Sequence, residues 1–256
     1  MTDSAENGQI LLETRGLVKR YGGRTVVNDV SFVVRAGEIV GLLGRNGAGK
    51  TTSFRMAIGM IEPNAGRVFF RGEEVTDLPM YKRAQRGMGY LSQEPSVFQR
   101  LTVEQNLLAI LETLEGVDRR ERRRRAEVLM KQFGLYELRD QPARTLSGGE
   151  RRKLEIARAM VTGPSLMLLD EPFSGVDPIA VEELQREIRR LRSEHGIAIL
   201  LTDHNVRETL SVTDRSYIIF EGKVLTEGTP RDLINDPIVR KTYLGSTFRG
   251  DEFDET

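Results

Sequence analysis

The residues Gly44-Arg45-Asn46-Gly47-Ala48-Gly49-Lys50-Thr51 follow the pattern G-x-x-x-x-G-K-[ST] and stand after the apolar run Glu38–Leu43. Glycines at these spacings let successive backbone N–H groups turn toward one point, and a helix starting at the end of the loop adds the positive end of its dipole. That is a cradle for an anion. In it the Lys50 ammonium reaches the β- and γ-phosphates of a nucleotide and the Thr51 hydroxyl ligates Mg²⁺. The stretch Gly44–Thr52 is therefore expected to bind a nucleoside triphosphate, with Lys50 also serving catalysis. Residue frequencies produce the four fixed positions by chance in roughly one chain of this length in a hundred.

Asp170 and Glu171 end a second apolar run, Leu166–Leu169. Ligands of open α/β sheets bind at the C-terminal ends of the strands, and in a phosphate-loop protein the first such acid holds Mg²⁺. That acid is Asp170. Glu171 then lies close enough to polarise an attacking water and is expected to act as the general base. A third stretch, Leu146-Ser147-Gly148-Gly149-Glu150, has capping-box spacing between Ser147 and Glu150. Two glycines weaken the first turn of a helix, so their presence points to a backbone that a ligand approaches closely.

These residues need a scaffold that brings strand ends together. Glu38–Leu43, Ser165–Leu169 and Ile197–Thr202 are apolar on nearly every residue, the pattern of strands buried on both faces. Helical patterns lie between them, which argues for a mostly parallel α/β sheet. Leu11–Val34 instead alternates apolar and polar residues around Tyr21-Gly22-Gly23, which predicts two antiparallel strands and a tight turn. Thr102 and Gln105 form a capping box before a helix over Asn106–Leu114, and Asp118 with Glu121 open another that Gly134 closes. On the latter, Ala126, Leu129, Met130 and Phe133 share one buried face. The expected organisation is a tail over 1–9, a nucleotide-binding unit over 10–229 with a helical subdomain inserted at about 95–160, a helical extension over 230–249 and an acidic tail over 250–256.

The 256 residues carry 38 Lys plus Arg against 38 Asp plus Glu, so no global field draws the chain to nucleic acid or a membrane surface. No cysteine is present, which excludes disulfides, thiolate metal sites and cysteine nucleophiles, and the two histidines, His195 and His204, make a multi-histidine metal site improbable. The longest apolar runs are about six residues, against roughly twenty for a membrane-spanning helix. Met1–Gln9 has neither the basic start nor the apolar stretch of a signal peptide, so a cytoplasmic location is expected. The run Arg119, Arg120 and Arg122–Arg125 reads as a solvated helix face.

With the phosphate loop and Asp170-Glu171 in the same order, Leu146–Glu150 resembles the signature motif of the ATP-binding cassette (ABC) ATPases, and the likeness runs from Leu11 to about Thr229. The resemblance implies a RecA-like, mostly parallel sheet core with an N-terminal antiparallel β subdomain and an inserted helical subdomain. It implies that the nucleotide held at Gly44–Thr52 is ATP. It implies further roles: Tyr21 stacking on adenine, Gln93 touching Mg²⁺ and the lytic water, Ser174-Gly175-Val176-Asp177 crossing a dimer interface, and His204 contacting the γ-phosphate. Ser147, Gly148 and Gly149 would serve the ATP of a second copy, so a head-to-tail homodimer is implied. Arg45, where many close members have proline, would point away from the phosphates. A single cassette that powers transport must also dock on two membrane-spanning subunits, near Gln93–Leu101, with Val97 and Phe98 as apolar candidates for the contact, on the cytoplasmic face of the inner membrane.

Within the family, Gly89-Tyr90-Leu91-Ser92-Gln93-Glu94, Ser174–Pro178, Thr202–Thr209 and Tyr243-Leu244-Gly245-Ser246-Thr247-Phe248-Arg249 look like the lipopolysaccharide-export ATPases. The alternative in transport is a branched-chain amino acid importer ATPase. The alternative of another class, a soluble ABC ATPase acting on nucleic acid or ribosomes, lacks its usual signs here: there is no long coiled-coil insertion and no second cassette.

Overall fold

The computed structural model describes residues 8–245. Along the chain run β1 (Ile10–Tyr21), β2 (Arg24–Arg35), β3 (Ile39–Leu43), α1 (Lys50–Ile58), β4 (Ala65–Phe70), β5 (Glu73–Glu74), α2 (Met80–Gln85) and β6 (Met88–Leu91). The helical segment follows with α3 (Val103–Leu111), α4 (Arg119–Gln132) and α5 (Gly148–Ala159). The chain then alternates through β7 (Leu166–Asp170), α6 (Pro178–His195), β8 (Ala198–Thr202), α7 (Val206–Leu210) and β9 (Arg215–Phe220). It continues with β10 (Lys223–Gly228), α8 (Pro230–Asn235), α9 (Pro237–Val239) and a π-helical turn over Arg240–Leu244.

The two sequence patterns build two sheets. Alternation produces the antiparallel sheet, ordered β2-β1-β4-β5, in which Tyr21 faces Arg24 across the Gly22-Gly23 turn. Continuous apolar runs produce the second sheet, ordered β10-β9-β3-β8-β7-β6, parallel except where β10 folds back on β9. Every residue of β3, β7 and β8 is buried because both faces are covered. Successive residues of a strand enter opposite cores: Val40, Leu166 and Leu168 pack toward α1 and the antiparallel sheet, while Ile39, Met167 and Leu169 pack toward α3–α6.

The predicted caps hold the helices. Thr102 and Gln105 cap α3, which starts and ends three residues earlier than the sequence pattern indicates. Asp118 caps α4, whose Ala126, Leu129 and Met130 are buried together with Phe133 at its C-cap. Arg124 and Arg125 both bind Glu121, at 2.6 and 2.8 Å, which offsets part of the cost of cations near a helix N-terminus.

Two expectations change. Gly8 and Gln9, assigned to an N-terminal tail, lie against the end of β2, with the Gln9 carbonyl accepting from Ala36 N–H at 2.9 Å. Val97, treated with Phe98 as a contact candidate, is a core residue at 8% exposure, whereas Phe98 is 46% exposed. The end of the C-terminal extension, 246–249, the acidic stretch 250–256 and residues 1–7 lie outside the described residues.

Candidate functional site

The phosphate loop spans the gap between the end of β3 and the start of α1. It is clamped by the β9–β10 turn: Gly222 N–H donates to the Ala48 carbonyl at 2.9 Å, and Asn28 N–H donates to Gly222 at 2.7 Å. Gly49 has φ 103°, and a Cβ there would stand 2.6 Å from the Val26 carbonyl, so only glycine fits. At Gly44 a Cβ would run into the Ile219 carbonyl. The side chains of Thr102, Asp118, Ser147 and Asp177 cap α3, α4, α5 and α6, but no side chain caps α1. Its first N–H groups are left for an external anion.

Lys50 is 5% exposed, and its Nζ donates to the carbonyls of Gly44 at 2.6 Å and Arg45 at 3.1 Å. No carboxylate of the described residues lies within ion-pair distance of it. Burial lowers its pKa, against the pull of the Glu171 and Asp203 charges. A buried ammonium held only by carbonyls suits a phosphate. Beside the loop opens a cleft of about 390 Å³ lined by Arg24–Val26, Arg45–Ala48 and Phe220–Gly222. Tyr21 is half exposed and lies directly across the β1–β2 turn from Arg24, which lines the cleft. The side chain of Arg45 is exposed.

The parallel register sets Asp170 opposite Thr202 and carries Glu171 and His204 beyond the strand ends. Asp170 is buried; Arg55 Nη2 lies 3.6 Å from its Oδ2, and the Tyr90 hydroxyl donates to it at 3.4 Å. Burial raises the Asp170 pKa, with the Arg55 charge opposing. Burial, helped by the Asp170 charge, pushes the Tyr90 phenol up to about 12. Glu171 adopts φ 45°, a left-handed backbone unusual for a non-glycine residue, and its N–H donates to the Thr202 carbonyl at 2.8 Å. Its Oε2 is 3.4 Å from His204 Nδ1. Asp203, fully buried, accepts from the N–H groups of Phe173 and Asn205, both at 2.9 Å, and so ties the chain after Glu171 to the His204 turn.

Sequence reasoning did not assign Arg55, Tyr90 or Asp203. The signal for Arg55 is its spacing: residues 51 and 55 stack on one face of α1, so the side chain lies over the Thr51 side of the helix. Asp203 and Tyr90 carry no such signal, because their partners come from other strands. Among the described residues no group of three or more His, Cys, Asp or Glu could hold a metal. The available donors, the Thr51 hydroxyl and the Asp170 carboxylate, suit a Mg²⁺ that draws its remaining ligands from phosphates and water.

A second cleft, about 480 Å³, lies between the start of α5 and the segment before α6; Gly148, Gly149, Gln93, Glu171, Ser174 and Asp177 line it. Gln93 Nε2 donates to Ser174 Oγ at 3.2 Å. Ser147 caps α5, with a reciprocal bond between its N–H and Glu150 at 2.8 Å. The two glycines of the signature therefore do not line the cleft of their own phosphate loop.

The sequence profile described as ABC transporter matches residues 27–174. The chain belongs to this family. It is 52% identical over 239 residues to the lipopolysaccharide export system ATP-binding protein LptB of Acidithiobacillus ferridurans, covering 93% of this chain and 98% of that one. It is 49% identical over 238 residues to LptB of Escherichia coli strain K12, covering 93% and 98%. Among solved structures, the ADP conformation of MJ1267, an ATP-binding cassette of an ABC transporter, superposes with a TM-score of 0.82 at 28% identity, covering 92% of this chain and 99% of that chain. The α/β cassette architecture expected from the motifs is the one observed, and the chain is an ATP-binding ABC ATPase. Among the described residues no helix is long and apolar enough to cross a membrane.

Proposed function

We propose that this ABC ATPase hydrolyses ATP at two composite sites of a head-to-tail homodimer and powers the extraction of lipopolysaccharide from the inner membrane. The observation that carries the dimer is the separation of the two clefts: the phosphate loop lines one, Gly148 and Gly149 the other. The export cargo rests on the identity with the LptB proteins along nearly their whole length.

In this reading the phosphates lie on the open N–H groups of α1, and the Lys50 ammonium leaves the Gly44 and Arg45 carbonyls to meet them. Thr51, Asp170 and Gln93 would hold Mg²⁺, which neutralises charge on the phosphate oxygens. Glu171, fixed by its backbone bond to Thr202, accepts a proton from the attacking water. His204 stands beside it to contact the γ-phosphate, and Tyr21 stacks on the base. Ser147–Gly149 of the partner close the site from the other side.

The cassette sits peripherally on the cytoplasmic face and receives two membrane-spanning subunits at the loop 93–101. Phe98, exposed and braced by Asn106, whose Oδ1 accepts from the Phe98 N–H (2.8 Å) and whose Nδ2 donates to its carbonyl (3.1 Å), is the anchor. The test is purification from membranes with identification of the associated subunits, followed by an ATPase assay of the complex with lipopolysaccharide. Association with importer subunits instead would overturn the cargo, and absence of any membrane partner would overturn the transport role.

A further inference from the structure

The helix α5 carries one residue that its packing does not explain. Leu154, Ile156 and Ala157 of this helix are buried apolar side chains, and among them Glu155 is equally buried at 5% exposure. A carboxylate in such a place costs free energy unless both oxygens find donors. Both do: Oε1 accepts the backbone N–H of Ser96 at 3.1 Å, and Oε2 accepts from Arg152 Nη1 at 2.8 Å.

The neighbouring contacts converge on the same loop. Arg158, one helical turn beyond Glu155, donates through Nη1 to the carbonyl of Ser96, so α5 grips both backbone groups of a single residue. Its guanidinium also lies 4.6 Å from the centre of the Phe98 ring. Arg152 Nη1 reaches the Ser92 carbonyl at 3.3 Å. The loop from Ser92 to Leu101 carries Gln93 near its start, against Ser174, and displays Phe98 further along. The opposite end of α5 is the Ser147–Gly149 turn.

We propose that Glu155 is a positioning residue that locks the loop 92–101 to the signature helix, so that Gln93, Phe98 and Ser147–Gly149 move as one body. Two charge-assisted bonds, from side chains three residues apart, to the peptide units on either side of Ser96 resist both sliding and rotation of the loop. A pull on Phe98 by a docked subunit is then transmitted to the turn that meets the partner's ATP, and closure at that turn carries Gln93 with it. This assignment rests on the ATPase reading given above.

The test uses the full chain with Glu155→Ala and Glu155→Gln. Glu155→Ala removes a charge-assisted bond, so amide exchange over 93–101 should accelerate about tenfold or more while β3, β7 and β8 stay protected. The kcat for ATP should fall by a similar factor, because Gln93 is no longer held, while KM stays within about twofold because the phosphate loop is untouched. Glu155→Gln keeps an acceptor for Ser96 N–H and should recover most of both losses. Arg158→Met releases the Ser96 carbonyl from a half-buried position and should loosen the same segment even if Glu155→Ala fails to fold. Unchanged exchange over 93–101, or a loosened loop with wild-type kcat, would overturn the proposal. A wild-type chain that does not hydrolyse ATP would overturn the ATPase reading instead, with amide exchange still deciding whether Glu155 holds the loop.

Discussion

Glu171 Oε2 and His204 Nδ1 lie 3.4 Å apart, although 33 positions separate them in the chain, because β7 and β8 run side by side and end level. A second carboxylate, Asp203 Oδ1, stands 3.5 Å from the same nitrogen. Two acceptors on the Nδ1 edge favour the tautomer protonated there and leave Nε2 for a ligand. The strained φ of 45° at Glu171 costs on the order of 1 kcal/mol and is maintained by the bond from its N–H to Thr202. The arrangement directs a carboxylate at the cleft without burying it.

Replacing that carboxylate separates binding from turnover. Glu171→Gln retains size and shape but cannot take a proton, so hydrolysis should fall by about a hundredfold or more. Lys50 and the α1 N–H groups are unaffected, and ATP should still bind. Unhydrolysed ATP should then hold two chains together. Size-exclusion chromatography with light scattering, with and without ATP, checks this: a monomer with normal turnover contradicts the role of Glu171.

The signature motif makes a complementary prediction. Ser147→Arg should abolish hydrolysis while leaving ATP affinity near normal. The substitution also removes the α5 cap, at about 1 kcal/mol. Ser147→Asp keeps a capping oxygen yet sets a negative charge against the partner's phosphates, so it should be equally inactive with α5 intact. Mixing Ser147→Arg with the inactive Lys50→Ala chain leaves one whole site in each mixed dimer, and random pairing restores up to roughly a quarter of wild-type sites. Recovery of activity from two inactive proteins supports composite sites; full activity of Ser147→Arg alone contradicts them.

Much of this site is legible in the sequence because its side chains act through fixed local spacing. The phosphate loop, the capping boxes and the buried face of α4 need only neighbours within a few residues. Strand pairs are legible for the same reason, since alternation or its absence reports how many faces are covered. Contacts made to backbone atoms across the fold leave no such trace. Ser96 is bound by Glu155 and Arg158 through its N–H and carbonyl, so its own identity says nothing about the contact. Val97 and Phe98 have equally apolar side chains in a loop without periodicity. What separates them is Asn106, whose buried amide brackets the Phe98 backbone and turns its ring outward while Val97 enters the core.

The charge state of Asp170 links function to stability. Burial raises its pKa above the ordinary carboxylate value, so the folded chain keeps this proton to higher pH than the unfolded chain does. Its contribution to stability is complete below the unfolded value and is lost as pH rises through the folded one. Asp170→Asn should therefore melt higher than wild type near neutral pH without nucleotide, and the difference should disappear in acid. The same substitution removes the charge expected to hold Mg²⁺ and should nearly stop hydrolysis. Melting curves across the acid-to-neutral range decide the point, and a lower melting temperature for the variant at neutral pH would show that the bonds to Arg55 and Tyr90 outweigh burial.

Phe98 offers the most direct test of the proposed membrane docking. Its ring is 46% exposed, yet its backbone is fixed by Asn106 and its face is covered on one side by Arg158. An aromatic side chain held in place before binding loses little freedom when a partner arrives, which is the condition for a strong anchor. Truncating such an anchor commonly costs about 2 kcal/mol or more of binding. Phe98→Ala should thus weaken copurification with the membrane subunits by about thirtyfold in affinity. Its melting temperature should stay near that of wild type, because the ring contributes little buried area to the core. Val97→Ala provides the internal contrast: it deletes two methyl groups from a buried position and should lower stability by roughly 1–2 kcal/mol with docking intact. Exchange of these two outcomes, destabilisation by Phe98→Ala and loss of association by Val97→Ala, would move the docking surface away from this loop.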